Sequence, residues 1–328
     1  MSFLNEPHGA HESYGAAAAA PRYGAPTTAS PQYGAPAVTA PARRPFRERS
    51  ARYGAPDRRG IIVPPYDPSR PALEQMEEWL ADLERFLVGV PNEVLTQFPH
   101  SSICELQVTT ALGGFSGTGF YVTRDKILTA AHVVEGIFNG QPYHATSIRV
   151  HPGRSPNMST FPAFDLNDTR SFAVHPQWVA GGRRSNFDLA VLHAPTPPPE
   201  RPMNMTNMTA HNTRVLVCGY AAARGAELEE LRQSVPIEPH QQHLGAGHIR
   251  GFDDGGETML YAAQSQGGTS GAPVYRVDHG ELRVYGIHHG IRGIPRNRTV
   301  ACRLTPAKID FVNNLSFPRP AGAWPPAP

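Results

Sequence analysis

The sequence predicts an all-β fold, a sandwich or barrel of many short strands, and three observations support this prediction. From about residue 100, short apolar runs recur, and several alternate in the manner of half-buried strands. Gly, Pro, Asn and Asp separate these runs and supply turns. The 328 residues also include 34 Pro and 31 Gly, a composition that disfavours long helices.

The predicted strands share a length of three to six residues. They are 103–108, 120–122, 126–129, 147–150, 189–192, 215–217, 259–261, 272–275 and 282–285. Residues 306–315 are predicted to form a short closing helix, and the main domain is expected over 99–316.

The segments flanking this domain differ from it in composition. Residues 1–60 repeat Tyr-Gly-Ala-Pro among Ala, Pro, Thr and Arg, which predicts a disordered low-complexity arm, either a solvated linker or a removed propeptide. Residues 61–98 are expected to form a linker and an amphipathic helix over 69–89, with Leu and Met every three or four positions. Residues 317–328 are expected to be a flexible tail.

Charge and composition limit the expected partners. The net charge of +2 gives no reason to expect a nucleic-acid or membrane partner, and we expect a monomer without cofactor or metal. The three cysteines are sparse and predict buried thiols rather than a disulfide framework. The N-terminus lacks the pattern of a Sec signal peptide, which favours a cytoplasmic protein or export by another route.

Ser270 is a candidate nucleophile because it lies in the segment Gly-Gly-Thr-Ser-Gly-Ala-Pro. A serine hydroxyl needs a base to remove its proton and donors to stabilise the oxyanion that forms on the attacked carbonyl. The flanking glycines permit a tight turn, in which the N–H groups of Gly268 and Ser270 would be those donors.

His132 and Asp188 are the candidate base and its orienting acid. His132 ends the run Thr-Ala-Ala-His after an apolar strand, and histidine has a pKa suited to proton transfer near neutrality. Asp188 directly precedes the apolar run Leu-Ala-Val-Leu, where a carboxylate is costly to bury unless it is paired. Asp165 and Asp168 are competitors, but no apolar strand follows them.

The order His, Asp, Ser along the chain, with the motifs Thr-Ala-Ala-His132, Asp188-Leu-Ala-Val-Leu and Gly-Gly-Thr-Ser270-Gly-Ala-Pro, resembles the trypsin-like serine peptidases over about residues 100–316. The segments 117–120, 217–220 and 286–290 fit the same pattern. The resemblance implies two antiparallel six-stranded β-barrels, with the active site between them, and polypeptide substrates. Thr269 replaces the Asp that precedes the nucleophile in trypsin-like enzymes, so activation by that salt bridge is not expected.

The glutamyl endopeptidase branch is the more similar one. It also lacks that Asp, and the resemblance implies that Ser265 and His288 bind a substrate carboxylate. Cleavage after Glu, and less often after Asp, is therefore expected. The run Ile-Ile-Val-Pro at 61–64 faintly resembles the mature start of such enzymes.

The sequence also allows two other interpretations. One is a catalytically silent double barrel that binds peptides through its cleft, although all three candidate catalytic residues are present. The other is a metal site at His288 and His289 or at His240 and His243, although metal sites need three or four converging ligands.

Overall fold

The computed structural model describes the main domain and short parts of the segment before it. The described residues are 67, 69–76, 87–156, 159–207, 210–221, 240–263, 265, 267–278, 280–291 and 299–317. The predicted arm at 1–60, the run at 61–64 and the tail from 318 onwards lie outside these residues.

Strands dominate the described structure. In chain order they are β1 (Val88–Gly89), β2 (Ile103–Thr110), β3 (Gly113–Tyr121), β4 (Lys126–Thr129), β5 (Glu135–Phe138), β6 (Gln141–Pro152), β7 (Phe164–Leu166), β8 (Phe172–Val174), β9 (Ala190–His193), β10 (Asn204–Met205), β11 (Arg214–Tyr220), β12 (Gln242–Asp253), β13 (Thr258–Ala263), β14 (Pro273–Asp278), β15 (Glu281–Ile291) and β16 (Thr299–Arg303). The α-helices that lie wholly within the described residues after 87 are α1 (Ala131–Val134), α2 (Pro176–Ala180) and α3 (Pro306–Asn314). Short 3₁₀ turns occupy Asn92–Val94, His100–Ser102, Thr169–Ser171, Ser185–Phe187 and Asp254–Gly256.

The strands form two mostly antiparallel sheets that follow each other along the chain. In the C-terminal sheet the order β12-β11-β14-β15-β16-β13 closes through the pairing of β12 with β13, which makes a six-stranded barrel. In the N-terminal sheet the order is β5-β6-β2-β3-β4-β9-β8, with β7 on β6. No pairing among the described residues joins β5 to β8, so this sheet is a curled half-barrel.

The predicted double-barrel fold is confirmed, with differences in detail. The C-terminal barrel has the expected six strands, whereas the N-terminal one stays open. The helix expected over 69–89 is present at 72–76, but Val88–Gly89 is a strand because it pairs with β12. Sequence periodicity missed β12 because its glycines and buried polar side chains break the apolar alternation.

Apolar side chains from both sheets fill the core, and the cysteines lie within it. Cys104, Cys218 and Cys302 are buried free thiols, as predicted. Burial raises the pKa of each thiol, which keeps it protonated and chemically quiet. In the described part of the chain, no helix combines the length and apolar character needed to cross a membrane.

Thr118 on β3 joins the two barrels. Its hydroxyl donates to the carbonyl of Gly268 (3.0 Å) and accepts from the N–H of Tyr220 (2.9 Å). Its N–H donates to the carbonyl of Ser270 (2.8 Å), and its carbonyl accepts from the buried hydroxyl of Thr129 (2.7 Å). One residue of the N-terminal sheet therefore holds the turn that carries Ser270.

Gly271 allows this close approach, and its replacement by Ala should disrupt it. Gly271 has φ +87°, and an added Cβ would lie 2.1 Å from the carbonyl oxygen of Thr118 and 2.3 Å from the hydroxyl of Thr129. We expect Gly271→Ala to lower the free energy of unfolding by about 4 kcal/mol or more, since neither group is the end of a flexible side chain.

Gly280→Ala is the matched control for this prediction. Gly280 also has positive φ (+75°), but an added Cβ would meet nothing within 4 Å. In this variant the free energy of unfolding should fall only by the cost of a left-handed backbone for alanine, about 1–2 kcal/mol. Urea unfolding of both variants checks the difference, and equal losses would contradict the steric explanation.

Candidate active site

Three separate elements carry the candidate catalytic residues. His132 lies in α1 directly after β4, and Asp188 follows a 3₁₀ turn just before β9. Strands β4 and β9 pair, with Thr129 opposite Ala190, so the two side chains emerge next to each other. Ser270 lies in the turn between β13 and β14 of the other barrel.

Asp188 holds His132 through two hydrogen bonds. The Nδ1 atom of His132 lies 2.6 Å from Oδ2 of Asp188, and the backbone N–H of His132 donates to Oδ1 over 2.8 Å. Since a carboxylate can only accept, Nδ1 carries the proton, and in the neutral imidazole Nε2 carries the lone pair. The carboxylate is fully buried, whereas the imidazole side chain is 27% exposed. His132 is thus fixed in the tautomer of a general base.

A second histidine binds the same carboxylate oxygen. The Nδ1 atom of His289 on β15 lies 2.5 Å from Oδ2 of Asp188, and the rings of His289 and His132 meet edge to face at 5.1 Å between centroids. Asp188 therefore accepts two imidazole N–H groups and one backbone N–H. Sequence reasoning considered His289 only as a metal ligand, because strand alternation does not show which neighbour of a His-His pair faces Asp188.

The electrostatics of the pair favour the charged forms. Burial alone raises the pKa of Asp188, but the charges and hydrogen bonds of His132 and His289 outweigh it, so that pKa lies well below its usual range. Burial lowers the pKa of His132, but the charge and the hydrogen bond of Asp188 together raise it by more, so the net shift is upward. A basic His132 beside an ionised Asp188 suits proton abstraction.

Tyr143 restrains His132 from the other side. Its hydroxyl donates to the backbone carbonyl of His132 over 2.5 Å. Burial, followed by the charges of Asp188 and Glu135, raises the pKa of Tyr143 to about 12, so the hydroxyl remains a donor at any working pH.

The turn at Ser270 leaves backbone donors available. Gly268 and Gly271 both have positive φ (+88° and +87°), a backbone conformation that glycine adopts without strain. The turn is held by the N–H of Gly271, which donates to the carbonyl of His288 (2.8 Å), and by Thr118. Within the described residues, the N–H groups of Gly268 and Ser270 make no hydrogen bond, as an oxyanion site requires.

Ser270 itself does not bond to His132 in this structure. Its Oγ makes a long hydrogen bond of 3.5 Å to the backbone carbonyl of His289, and the described residues show none to His132. Because the ring of His289 contacts that of His132, the hydroxyl nevertheless lies in the same region as the imidazole. Catalytic hydrogen bonds are often loose before substrate binds.

The competing acids lie on the surface. Asp165 pairs with Arg149 across β6 and β7, and both side chains are about half exposed. Asp168 caps a 3₁₀ turn and pairs with Arg170. Neither acid bonds to His132.

The two residues expected to recognise a carboxylate are buried near the nucleophile turn. His288 directly precedes His289, and its Nδ1 lies 2.6 Å from the hydroxyl of Tyr261. Burial, with the charges of His289 and His132, lowers the pKa of His288 to about 3. Ser265 is 9% exposed, and within the described residues its hydroxyl has no partner. Sequence reasoning did not anticipate Tyr261.

Among the described residues, the histidines of the suggested metal sites contact separate partners. His288 and His289 bond to different partners, while His240 binds Glu105 and His243 contacts a backbone carbonyl. His132, Asp188 and His289 do form a cluster of potential ligands. Their 2.5 and 2.6 Å contacts are direct hydrogen bonds, however, whereas metal ligands each lie 2.0–2.2 Å from the ion and farther from one another.

A family model for the trypsin-like peptidase domain matches residues 117–287, just over half of the chain. The chain belongs to the trypsin-like peptidase family. By this membership it is a serine-type endopeptidase, a hydrolase whose substrates are polypeptides. A comparison with curated protein sequences gives no significant match.

Solved structures of serine proteases share the fold of this trypsin-like peptidase. A Glu endopeptidase in complex with MPD is 20% identical, with a TM-score of 0.56 over 69% of this chain and 94% of that one. A thermostable serine protease from an extremophilic microorganism is 16% identical (TM-score 0.51, 65% of this chain, 96% of that one). The protease Anisep from Arthrobacter nicotinovorans is 15% identical (TM-score 0.51, 65% and 94%).

Asp188→Asn should show both the catalytic and the electrostatic role of the carboxylate. An amide can stabilise the wrong tautomer of His132, so we expect kcat to fall by about 10⁴-fold. Asp165→Asn, at an exposed acid, is the control and should leave kcat unchanged. Hydrolysis of a peptide substrate measures both.

The stability difference between wild type and Asp188→Asn should depend on pH. The folded-state pKa of Asp188 is depressed, so its stabilising contribution is present above the unfolded-state value of about 3.9 and lost as pH falls through the folded-state pKa. The raised pKa of His132 sets the other limit, since that contribution is lost as pH rises through it. Urea unfolding from pH 2 to pH 9 should show the largest difference between these limits. A constant difference would contradict the assignment.

Proposed function

We propose that this trypsin-like peptidase cleaves peptide bonds through an acyl-enzyme, with His132, Asp188 and Ser270 as its catalytic triad. The observation that carries the proposal is the buried Asp188 carboxylate, which accepts both the Nδ1–H and the backbone N–H of His132. This geometry prepares Nε2 of His132 as a base at the junction with the barrel that carries Ser270. The N–H groups of Gly268 and Ser270, which make no hydrogen bond within the described residues, are the proposed donors to the oxyanion.

The proposed mechanism follows from these contacts. On substrate binding, the Ser270 hydroxyl turns from the carbonyl of His289 towards Nε2 of His132, which takes its proton as Oγ attacks the peptide carbonyl. Asp188 stabilises the imidazolium that forms, and the N–H groups of Gly268 and Ser270 stabilise the oxyanion. His132 then gives the proton to the amine as the C–N bond breaks, which leaves the acyl group as an ester on Ser270. Water, deprotonated by His132, attacks this ester; the bond to Oγ breaks, the acid product leaves, and His132 returns the proton to Ser270.

The long contact of Ser270 with the carbonyl of His289 is the observation that favours the alternative, a catalytically silent peptide-binding protein. In that case Ser270 would stay on the carbonyl and resist acylation. A fluorophosphonate probe distinguishes the two functions, because it labels only an activated serine.

Ser270→Ala should abolish labelling and peptide hydrolysis and leave the fold intact, because the hydroxyl makes only one weak hydrogen bond. Circular dichroism and thermal unfolding check the fold. Ser316→Ala, at an exposed serine after α3, should label like wild type. Retained hydrolysis in Ser270→Ala, or a wild type that is not labelled, would contradict the proposed nucleophile.

We further propose that the enzyme prefers Glu, and less often Asp, before the scissile bond. His288 directly precedes His289, which bonds Asp188, and the carbonyl of His288 accepts from the N–H of Gly271 beside Ser270. With its low pKa the imidazole is neutral at working pH. If the Tyr261 hydroxyl donates to Nδ1, Nε2 carries the proton and can donate to a substrate carboxylate, together with the hydroxyl of Ser265.

A peptide panel that varies this residue tests the preference. We expect kcat/KM for Glu to exceed that for Gln by about 10–100-fold, since a hydrogen bond to a charged acceptor contributes about 1.5–3 kcal/mol. Tyr261→Phe should reduce the Glu/Gln ratio by about tenfold, because Nδ1 of His288 loses its donor. Fluorophosphonate labelling should be unchanged.

Tyr275→Phe is the matched control. Tyr275 is a buried tyrosine in the same barrel, and its hydroxyl has no partner in the described structure. Its variant should keep the Glu/Gln ratio of wild type. Preference for Arg or a large aromatic residue in the panel would contradict carboxylate recognition.

A further inference from the structure

We propose that His289 is a positioning residue, a second imidazole that locks Asp188 in the orientation required by His132. The proposal rests on the triad proposed above and assigns a role to a side chain outside it. Three contacts of His289 support the proposal. Its Nδ1–H donates to Asp188, its ring packs edge to face against the ring of His132, and its backbone carbonyl accepts from the hydroxyl of Ser270.

The hydrogen bonds of Asp188 show why a second imidazole matters. Oδ1 accepts the backbone N–H of His132, and Oδ2 accepts the Nδ1–H groups of both histidines. The carboxylate is fully buried while a side chain of this volume covers it, so water does not reach it in place of the missing donor when the volume is kept. Without His289, Oδ2 would keep one unsatisfied lone pair, and rotation of the carboxylate would cost less. The orientation of His132 would then be less well fixed.

Both imidazoles have the same tautomer, but only one is proposed to react. Each Nδ1 donates to Asp188, so in the neutral form of either ring it is Nε2 that carries the lone pair. His132 follows β4 of the N-terminal sheet, whereas His289 belongs to β15, whose neighbour β14 follows the nucleophile turn. The side chain of His289 is 30% exposed and reaches the carboxylate from the C-terminal barrel. His289 thus joins the barrels at the candidate site itself.

Other titratable groups surround this arrangement and contribute to any pH profile. His288, the chain neighbour of His289, is held neutral by burial. Tyr143 faces Asp188 from β6 and stays protonated. Cys302 on β16 is a buried thiol with a raised pKa. None of these groups is expected to change its charge between pH 5 and pH 8. A change in the pH dependence of activity when His289 is replaced therefore reports on the cluster of His132, Asp188 and His289.

Two variants of His289 separate positioning from packing. His289→Asn keeps an N–H donor near the place of Nδ1 and cannot titrate, whereas His289→Leu keeps the volume and loses the donor. We expect His289→Leu to lower kcat by about 10–100-fold, with KM changed by less than about threefold, because a misplaced base slows the chemical step. His289→Asn should recover most of this loss. His211→Asn, at an exposed histidine of the same barrel, should match wild type.

The kinetic test is informative only if the protein is an active peptidase. A second measurement, which does not depend on turnover, tests the hydrogen bond of His289 directly. In wild type, proton NMR should show two downfield imidazole N–H resonances, one from each histidine bonded to Asp188. His289→Asn should lose one of them, and His132→Asn should lose the other.

The outcomes are distinguishable. A wild type without hydrolysis or labelling refutes the proposed function, while two N–H resonances would still support the shared carboxylate. A folded His289→Leu with the kcat of wild type overturns the positioning role. Equal loss of kcat in the Asn and Leu variants overturns it too, because the donor would then be irrelevant. The absence of the His289 resonance in wild type overturns it whatever the kinetics show.

Discussion

The candidate site depends on how one buried carboxylate is satisfied. An ionised Asp188 without partners would cost several kcal/mol, and the protein offsets this cost with donors from both barrels. The carboxylate in turn places the proton of His132 on Nδ1. The same contacts that stabilise the buried acid therefore also orient the proposed base, so stability and the proposed chemistry are coupled at this position.

Hydrogen bonds of Thr118 hold the turn that carries Ser270, the proposed nucleophile. The four backbone and side-chain hydrogen bonds of Thr118 connect β3, the turn at Ser270 and the strand that ends at Tyr220. The contact requires glycine at 271, because a side chain there would displace β3. The position of Ser270 relative to the N-terminal sheet is thus determined by backbone groups and the short side chain of Thr118 rather than by long, flexible side chains.

Much of this arrangement could be predicted from sequence, because the informative features were local. Strand runs, glycine turns and the contexts of His132, Asp188 and Ser270 each occupy fewer than ten residues. The pairing of His132 with Asp188 was predicted, but the contacts of His289 with Asp188 and Ser270 were not. His289 reaches Asp188 across 101 positions of chain, and which of two adjacent histidines does so depends on strand register. The strand at Val88–Gly89 was missed because its pairing with β12 overrides a helical pattern.

That short strand has a consequence for how the chain can be divided. β1 precedes the N-terminal sheet but is hydrogen-bonded to the C-terminal barrel, while α3, at the far end, receives the buried ammonium of Lys126 from β4 on the carbonyls of Val312 and Asn313. The C-terminal barrel is thus hydrogen-bonded to a strand that precedes the N-terminal sheet, and the N-terminal sheet is hydrogen-bonded to a helix that follows the C-terminal barrel. A cut in the connection between the barrels would separate each barrel from one of the segments bonded to it, so we expect neither barrel to keep all of its contacts when expressed alone.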